Sequence, residues 1–498
     1  MTKTIYPASL LCDFYKLFHK NQYPKNTEQI YSTFTPRSNR YFPQADEVVV
    51  FGIQGFVKKY LIEYFNTHFF SRTKEEVVSE YVRYLKYTLG EENPDHSHIE
   101  ELHDLGYLPI KIKALKEGSK SPIKVPVLTM ENTNSKFFWL TNYLETLVSD
   151  EIWQPMTSAT TAYQYRNLLD EYALKTTGNT DGVGFQGHDF SARGMVGIEG
   201  AAVSGAGHLL SFVGTDTVPS IAYLEAYYNA DIEKELIGSS IPATEHSVMS
   251  ASTDADSRDE FEMYKRLITE VYPTGFFSVV SDTYDFWAVI GDILPRLKSE
   301  IMSRDGRVVI RPDSGDPVLI ITGNPEGDTE LERKGLIESL WDIFGGTVTE
   351  QGYKVLDTHI GAIYGDSITL ERAKQIVERL EAKGFASTNI VLGIGSYTYQ
   401  YVTRDTLGFA MKATYAVIDG EERMLFKDPK TDDGTKRSQR GRVAVVKVNG
   451  ELTVVDGLVK HTYNANFADI DQLEEVFVDG KLVRDESLAQ IRMRVLNN

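Results

Sequence analysis

From about residue 185 to residue 396 the chain repeats one pattern: a short apolar run rich in β-branched or aromatic residues, a polar or glycine stop, and then apolar positions at helical spacing. The stops read Gly187-His188-Asp189-Phe190, Gly214-Thr215-Asp216, Ala243-Thr244-Glu245-His246, Val280-Ser281-Asp282, Arg311-Pro312-Asp313-Ser314-Gly315, Tyr364-Gly365-Asp366 and Gly393-Ile394-Gly395-Ser396. Most lie about 30 residues apart, the length of one βα unit. The interval from Asp313 to Asp366 is longer, and its turn-rich stretch Thr322-Gly323-Asn324-Pro325-Glu326-Gly327-Asp328 predicts an inserted loop. Strands alternating with helices at this period predict a parallel sheet, and seven such units predict a closed α/β barrel, with an open doubly wound sheet as the alternative.

The flanks follow a different rhythm. Residues 28–36 and 108–133 read as extended, with alternating faces in Ile110-Lys111-Ile112-Lys113-Ala114, and residues 408–480 read as short strands and turns. Helical spacing over about 136–149 and 158–176 predicts connecting helices. The expected division is residues 1–156 and 402–498 as one mostly β-sheet α+β domain built from both chain ends, around a barrel of residues 157–401. A chain of 498 residues is long enough for two cores.

Composition narrows the function. Charged residues at 25% and hydrophobic ones at 42% are ordinary for a folded chain. The formal charge of -19 repels a phosphate backbone, which argues against nucleic acid as a partner. Cys12 is the only cysteine, so no intrachain disulfide, thiolate zinc site or iron–sulfur cluster can form. Met1 to Lys20 carries Asp13, Lys16 and Lys20 among its apolar residues and lacks the run of a signal peptide or membrane span. The expectation is a cytoplasmic protein without membrane attachment.

An Asp that follows a single strand is ordinarily a helix cap or turn former. A series of such residues, all at predicted strand ends, instead matches the place where barrel enzymes gather their working groups. The glycines at Gly365 and at Gly393 to Gly395 close the last two predicted strands, where this architecture holds phosphate on backbone N–H groups. Basic residues recur beyond them at Arg404, Lys412, Lys427, Lys436, Arg437, Arg440 and Arg442, against the acidic balance of the chain. A polyanionic ligand such as pyrophosphate or a nucleotide accounts for them better than a solvated strand face does.

Nine ordered stretches resemble the nicotinamide phosphoribosyltransferase family. They are Leu11-Cys12-Asp13-Phe14-Tyr15-Lys16, Gly187-His188-Asp189-Phe190-Ser191-Ala192-Arg193-Gly194, Gly214-Thr215-Asp216-Thr217, Pro242-Ala243-Thr244-Glu245-His246-Ser247, Val280-Ser281-Asp282-Thr283-Tyr284-Asp285, Ile310-Arg311-Pro312-Asp313-Ser314-Gly315, Gly365-Asp366, Thr403-Arg404-Asp405 and Phe426-Lys427-Asp428-Pro429. The resemblance implies a type II phosphoribosyltransferase barrel. It implies transfer of phosphoribose from phosphoribosyl pyrophosphate to nicotinamide in NAD salvage, Mg²⁺ with the pyrophosphate, ATP as an activating co-substrate, and a homodimer with shared active sites. Nicotinate phosphoribosyltransferase, with a carboxylate substrate, is the nearest rival, and a non-catalytic binding or signalling protein on the same fold is another.

The resemblance also assigns roles. Phe190 and a partner's Tyr15 sandwich the ring, and Asp13 belongs with Tyr15 among the substrate-binding positions. Asp216 accepts a hydrogen bond from the carboxamide and repels a carboxylate. Arg193, His246 and Arg311 meet pyrophosphate, and Pro312 belongs to the same substrate loop. Asp282 and Asp313 serve the ribose hydroxyls and the metal, while Gly365, Asp366, Gly395 and Ser396 form the ribose-phosphate pocket. Arg37, Arg404, Lys412 and Lys427 face the polyphosphate across the dimer interface. His246 is implied to carry a phosphoryl group from ATP, with Glu245 or Asp282 orienting its ring. The pyridine nitrogen has a free lone pair, so the reaction asks for positioning and charge neutralisation rather than a general base.

Overall fold

The computed structural model describes residues 6–253, 256–365, 367–427 and 438–497; Asp366 and Lys436 fall outside them. The chain forms two compact units, one of residues 1–160, 223–230 and 403–498, the other of residues 161–222 and 231–402.

The second unit holds a six-stranded parallel sheet. Its spatial order is Gly214–Thr215, Gly187–Asp189, Ile390–Ile394, Ile360–Tyr364, Asp305–Arg311 and Thr274–Val280. Six of the seven predicted runs are therefore strands, each ending at its expected stop. The run that ends at His246 joins by bridges alone. Ser239 pairs with Gly214 on one edge strand, and Ala243 pairs with Ser278 on the other. Pro242 lacks the N–H that a regular ladder needs, but its carbonyl still accepts from Ser278 N at 2.8 Å. Val279, Val308, Ile310, Ile360, Leu392 and Ile394 are buried in one core, as expected for parallel strands covered on both faces.

The turn-rich stretch is a loop as expected, the connection between the helices Pro317–Thr322 and Glu330–Lys334, ended by a Thr329–Glu332 capping box. The rest of the long interval holds the helix Leu336–Phe344 and a hairpin of Gly346–Val348 with Lys354–Leu356. One expectation changes here. The second predicted connecting helix begins earlier, since Glu145–Thr177 is one helix running through Pro155, and it takes in the end of the first, whose remainder is the short helix Leu140–Tyr143 and a 3-10 turn at Ser135–Phe137. Gly52 accommodates the Pro155 ring, since a Cβ there would lie 2.5 Å from Pro155 Cγ.

In the first unit both chain ends build one antiparallel sheet, in the order Glu421–Met424, Phe409–Ile418, Thr27–Pro36, Leu128–Asn132, Ile110–Ala114, Glu474–Val478 and Lys481–Leu482. Residues 223–230 belong here rather than with the parallel strands that flank them in sequence. Tyr228 is buried and its hydroxyl accepts from Gly55 N at 3.2 Å, while Gln54 Nε2 donates to Tyr227 O at 2.8 Å. Among the described residues no helix is long and apolar enough to cross a membrane.

Candidate active site at the strand ends

The ends of the strands Thr274–Val280 and Asp305–Arg311, together with His246, bring four predicted residues together. His246 opens the helix His246–Ala251, and its Nδ1 lies 3.1 Å from Thr283 Oγ1. Its Nε2 lies 3.9 Å from Asp282 Oδ1 and 4.0 Å from Asp313 Oδ2, so one ring nitrogen faces two carboxylates. Glu245 is turned elsewhere and accepts from Ser247 Oγ. Of the two acids expected to orient the imidazole, Asp282 is therefore the one in position.

Asp282 is almost fully buried, with 5% of its side chain exposed. Its Oδ2 accepts from Asp313 N at 2.9 Å, Ser314 N at 2.7 Å and Ser314 Oγ at 2.6 Å, which fixes the turn after Arg311. Its Oδ1 has no hydrogen-bond partner among the described residues. Behind it sits Glu260, buried, whose carboxyl is pushed up to about 7 by burial first and by Asp282 and Asp259 next. Arg311 Nη2 donates to Thr244 O at 2.9 Å and its Nε lies 3.5 Å from Asp313 Oδ1. Pro312 is buried in the same turn and accepts from Gly365 N at 3.2 Å. The oxygen set of Asp282 and Asp313 suits a hard divalent cation that also binds substrate phosphate.

A second group forms at the ends of Gly187–Asp189 and Gly214–Thr215. Asp216 Oδ1 accepts from His188 Nε2 at 2.8 Å and from Ser240 Oγ at 2.6 Å. Burial pulls this carboxyl up, but the His188 and Ser240 hydrogen bonds and the charge of Arg311 outweigh it and hold it below the ordinary range. Asp216 is thus an ionised acceptor and not a helix cap. Phe190 packs against His188, with ring centroids 4.5 Å apart.

The glycines serve close packing. A Cβ on Gly393 would lie 2.8 Å from Phe190 Cδ2, and one on Gly365 would lie 1.9 Å from Asp313 Oδ1. Gly365 and Gly393 thereby make room for the two predicted site side chains. Gly395 has an extended backbone, φ -95°, that does not demand glycine, and it precedes the short helix Ser396–Tyr399. Ser396 packs over Gly194, where a Cβ would come within 2.0 Å of its Oγ, next to the exposed Arg193.

Among the predicted residues of the first unit, Lys412 lies close to Glu145, its Nζ 3.9 Å away, and Glu145 also holds Lys16. Lys412 is held below its ordinary value by burial first, against the pull of Glu145, and then by Arg37, Lys16 and Arg404. Arg37 is lowered by burial and by Arg404. Three of the four predicted cations are therefore crowded together at a cost in repulsion, the arrangement expected where an anion is to be met. Lys427 is exposed, and its backbone N donates to Ser438 Oγ at 3.0 Å. Tyr15 is 56% exposed and edge-on to His19, and Asp13 accepts from Thr146 Oγ1 at 2.8 Å.

His188, Ser240, Thr283, Ser314 and Glu260 received no role in the sequence reading. His188 alone carried a signal: it stands two residues before Phe190 at a strand end, so both side chains face the same way.

Residues 185–481 match the nicotinate phosphoribosyltransferase (NAPRTase) family, and residues 8–112 match the nicotinamide phosphoribosyltransferase N-terminal domain. The chain is 50% identical over 494 residues to a nicotinamide phosphoribosyltransferase of Acinetobacter baylyi, covering 97% of this chain and 96% of that one. It is 33% identical to the enzyme of that name from Xanthomonas campestris, covering 96% of each. Among solved structures it is similar to nicotinate-nucleotide pyrophosphorylase from Pyrococcus furiosus, with a TM-score of 0.57 at 14% identity, covering 100% of this chain and 97% of that one. Human nicotinic acid phosphoribosyltransferase follows, with a TM-score of 0.54 at 16% identity over 98% and 93%. At these identities the two structures speak for the fold alone.

Proposed function

The chain belongs to the nicotinamide phosphoribosyltransferase family and is a pentosyltransferase of NAD salvage, and from that premise we propose how its own residues carry the transfer of phosphoribose to nicotinamide. The bridges from residues 239–243 to both edge strands support reading the parallel sheet as a closed barrel, with the site at its C-terminal mouth. Phe190 offers a face to the pyridine ring, and Asp216 accepts from the carboxamide N–H. Arg311 and Arg193 neutralise pyrophosphate as it leaves and the ribose becomes oxocarbenium-like. Asp282 and Asp313 would hold Mg²⁺, which supplies charge neutralisation on the phosphates when bound. The backbone after Ile394 and Gly365 receives the ribose 5-phosphate.

His246, held by Thr283 on one nitrogen and facing two carboxylates with the other, takes the γ-phosphoryl group of ATP and releases ADP, and water later removes the group as phosphate. While it is present, its charge and oxygens tighten the hold on phosphoribosyl pyrophosphate. Tyr15 and the Arg37, Arg404 and Lys412 group, with Lys427, act on the partner subunit's site in a homodimer, and the reaction runs in the cytoplasm.

The observation that carries the choice of substrate is the ionised Asp216, anchored through one oxygen beside the Phe190 stack. It welcomes a neutral amide and repels a carboxylate. The test is turnover with phosphoribosyl pyrophosphate, Mg²⁺ and either nicotinamide or nicotinate. Nicotinamide alone should be converted, and Asp216→Ser should weaken nicotinamide use and admit nicotinate. An unchanged preference in that variant would remove Asp216 as the selector.

A further inference from the structure

Three elements converge on a single oxygen of Asp216. His188 reaches it from the strand Gly187–Asp189 at 2.8 Å, and Ser240 reaches it from the bridging residues 239–243 at 2.6 Å. Asp216 itself follows the strand Gly214–Thr215, and its backbone N donates to Asp189 O at 3.0 Å. No hydrogen bond from the described residues reaches Oδ2, and 45% of the side chain is exposed. One oxygen is thus pinned and the other is left open.

Ser240 alone does not fix that orientation. A hydroxyl rotates freely and can donate to either carboxylate oxygen. An imidazole is rigid, and His188 is held on its other side as well. Only 11% of its side chain is exposed, its ring packs against Phe190, and Gly214 leaves room for it, since a Cβ there would lie 2.8 Å from His188 Nδ1. With an ionised carboxylate as its partner, Nε2 must carry the hydrogen.

We propose that His188 is a specificity-determining positioning residue: its Nε2–H locks Asp216 Oδ1, which holds Oδ2 toward the substituent of the ring stacked on Phe190 and so sets the discrimination between a carboxamide and a carboxylate. The inference rests on Asp216 as the selector. Repulsion between two carboxylates depends on their distance and on exclusion of water. A selector free to turn about its Cα–Cβ bond would swing its charge aside and let nicotinate enter. His188 touches the selector and the stacking ring together, so it also fixes the distance between them.

The experiment measures kcat/KM for nicotinamide and for nicotinate in wild type, Asp216→Ser, His188→Leu, His188→Gln and the double variant Asp216→Ser/His188→Leu. His188→Leu should lower the nicotinamide-to-nicotinate ratio by about tenfold, mostly through KM, and His188→Gln, whose amide N–H can replace Nε2–H, should recover most of it. In the Asp216→Ser background the His188 change should leave the ratio where it stands, because the lock has lost its object. If His188→Leu depresses both substrates equally, or if the ratio falls further in the double variant, the positioning role is wrong. Should His188→Leu fail to fold, His188→Asn, whose amide is too short to reach Asp216, makes the same comparison against His188→Gln. A ratio unmoved by Asp216→Ser alone would overturn the selector itself, a different outcome from a ratio that responds to Asp216 and not to His188.

Discussion

The mouth formed by the parallel strand ends and the antiparallel sheet of the first unit both gather buried charge, and they use it in opposite ways. In the first unit Glu131 is fully engaged: Arg442 Nη2 donates to it at 2.8 Å, Gln29 Nε2 at 3.0 Å and Lys111 lies 2.9 Å away. Arg442 is sandwiched by the rings of Tyr31, Tyr415 and Tyr463 at 4.5 to 5.8 Å. Lys113 donates to Tyr463 Oη at 2.6 Å and to Asp471 at 3.0 Å. All of these but Tyr415 line a cavity of about 230 Å³; its buried carboxylates are paired from within, while Arg442 keeps Nε and Nη1 without a hydrogen-bond partner among the described residues. At the mouth, Asp282 gives one oxygen to the 313–314 turn and keeps the other open, Asp216 does the same with His188 and Ser240, and His246 is half exposed. Burial and crowding alone do not mark a site; at the strand ends the open atoms are acceptor oxygens on otherwise fixed carboxylates, whereas the open N–H groups of Arg442 belong to a guanidinium packed on aromatic rings.

The largest effect that would sharpen this contrast is at His246. His246→Ala should lose ATP hydrolysis and ATP stimulation outright, with turnover falling by roughly 10²-fold or more, the scale on which a positioned side chain acts. Product formation measured with and without ATP decides it, and a variant that still responds to ATP as wild type does removes the phosphoryl-carrier role.

Mixing comes next. Tyr15→Ala and Arg311→Ala proteins, each inactive, should recover about a quarter of wild-type activity after subunit exchange, since half the dimers would carry one intact site. Exchange shown by mass with no recovered activity would remove Tyr15 as a contributor to the partner subunit's site.

The antiparallel sheet of the first unit should answer in stability and not in catalysis. Arg442→Met leaves Glu131 buried without its strongest partner and should cost about 3–5 kcal/mol in denaturant unfolding. The nicotinamide-to-nicotinate ratio should stay unchanged. A shift in that ratio with intact stability would break the contrast.

Glu117 gives the smallest effect. It is buried beside Glu486 and pushed up to about 7, by burial first, although Gln54 N and Gly52 N donate to it. A carboxyl raised in the folded state contributes stability that is full below its unfolded value, near 4.5, and is lost as pH rises through about 7. The thermal midpoint of wild type should therefore fall from pH 5 to pH 8, by the equivalent of at most about 3 kcal/mol. Glu117→Gln should flatten that slope, and an equal slope in the variant would show that other groups set it.

The period of apolar runs was enough to place six strand ends to within two residues, because a parallel strand buried on both faces must be continuously apolar and must stop where the chain returns to water. The roles carried by Phe190, Asp216, Asp282 and Asp313 came from the family resemblance, but their gathering at strand ends was legible in the pattern itself. Three features were decided only when the chain closed on itself. Pro155 signals a helix end along the sequence, yet the helix Glu145–Thr177 runs on through it, with the proline ring packed on Gly52. Residues 223–230 read as barrel and pack elsewhere, because Tyr228 and Tyr227 find partners at Gly55 and Gln54, far away in sequence. The open oxygens of Asp216 and Asp282 depend on which neighbours fill their mates, and those neighbours, His188, Ser240 and Ser314, arrive from separate strands and loops. Local composition sets which residues can carry charge at a strand end, while long-range contact sets which of their atoms remain available.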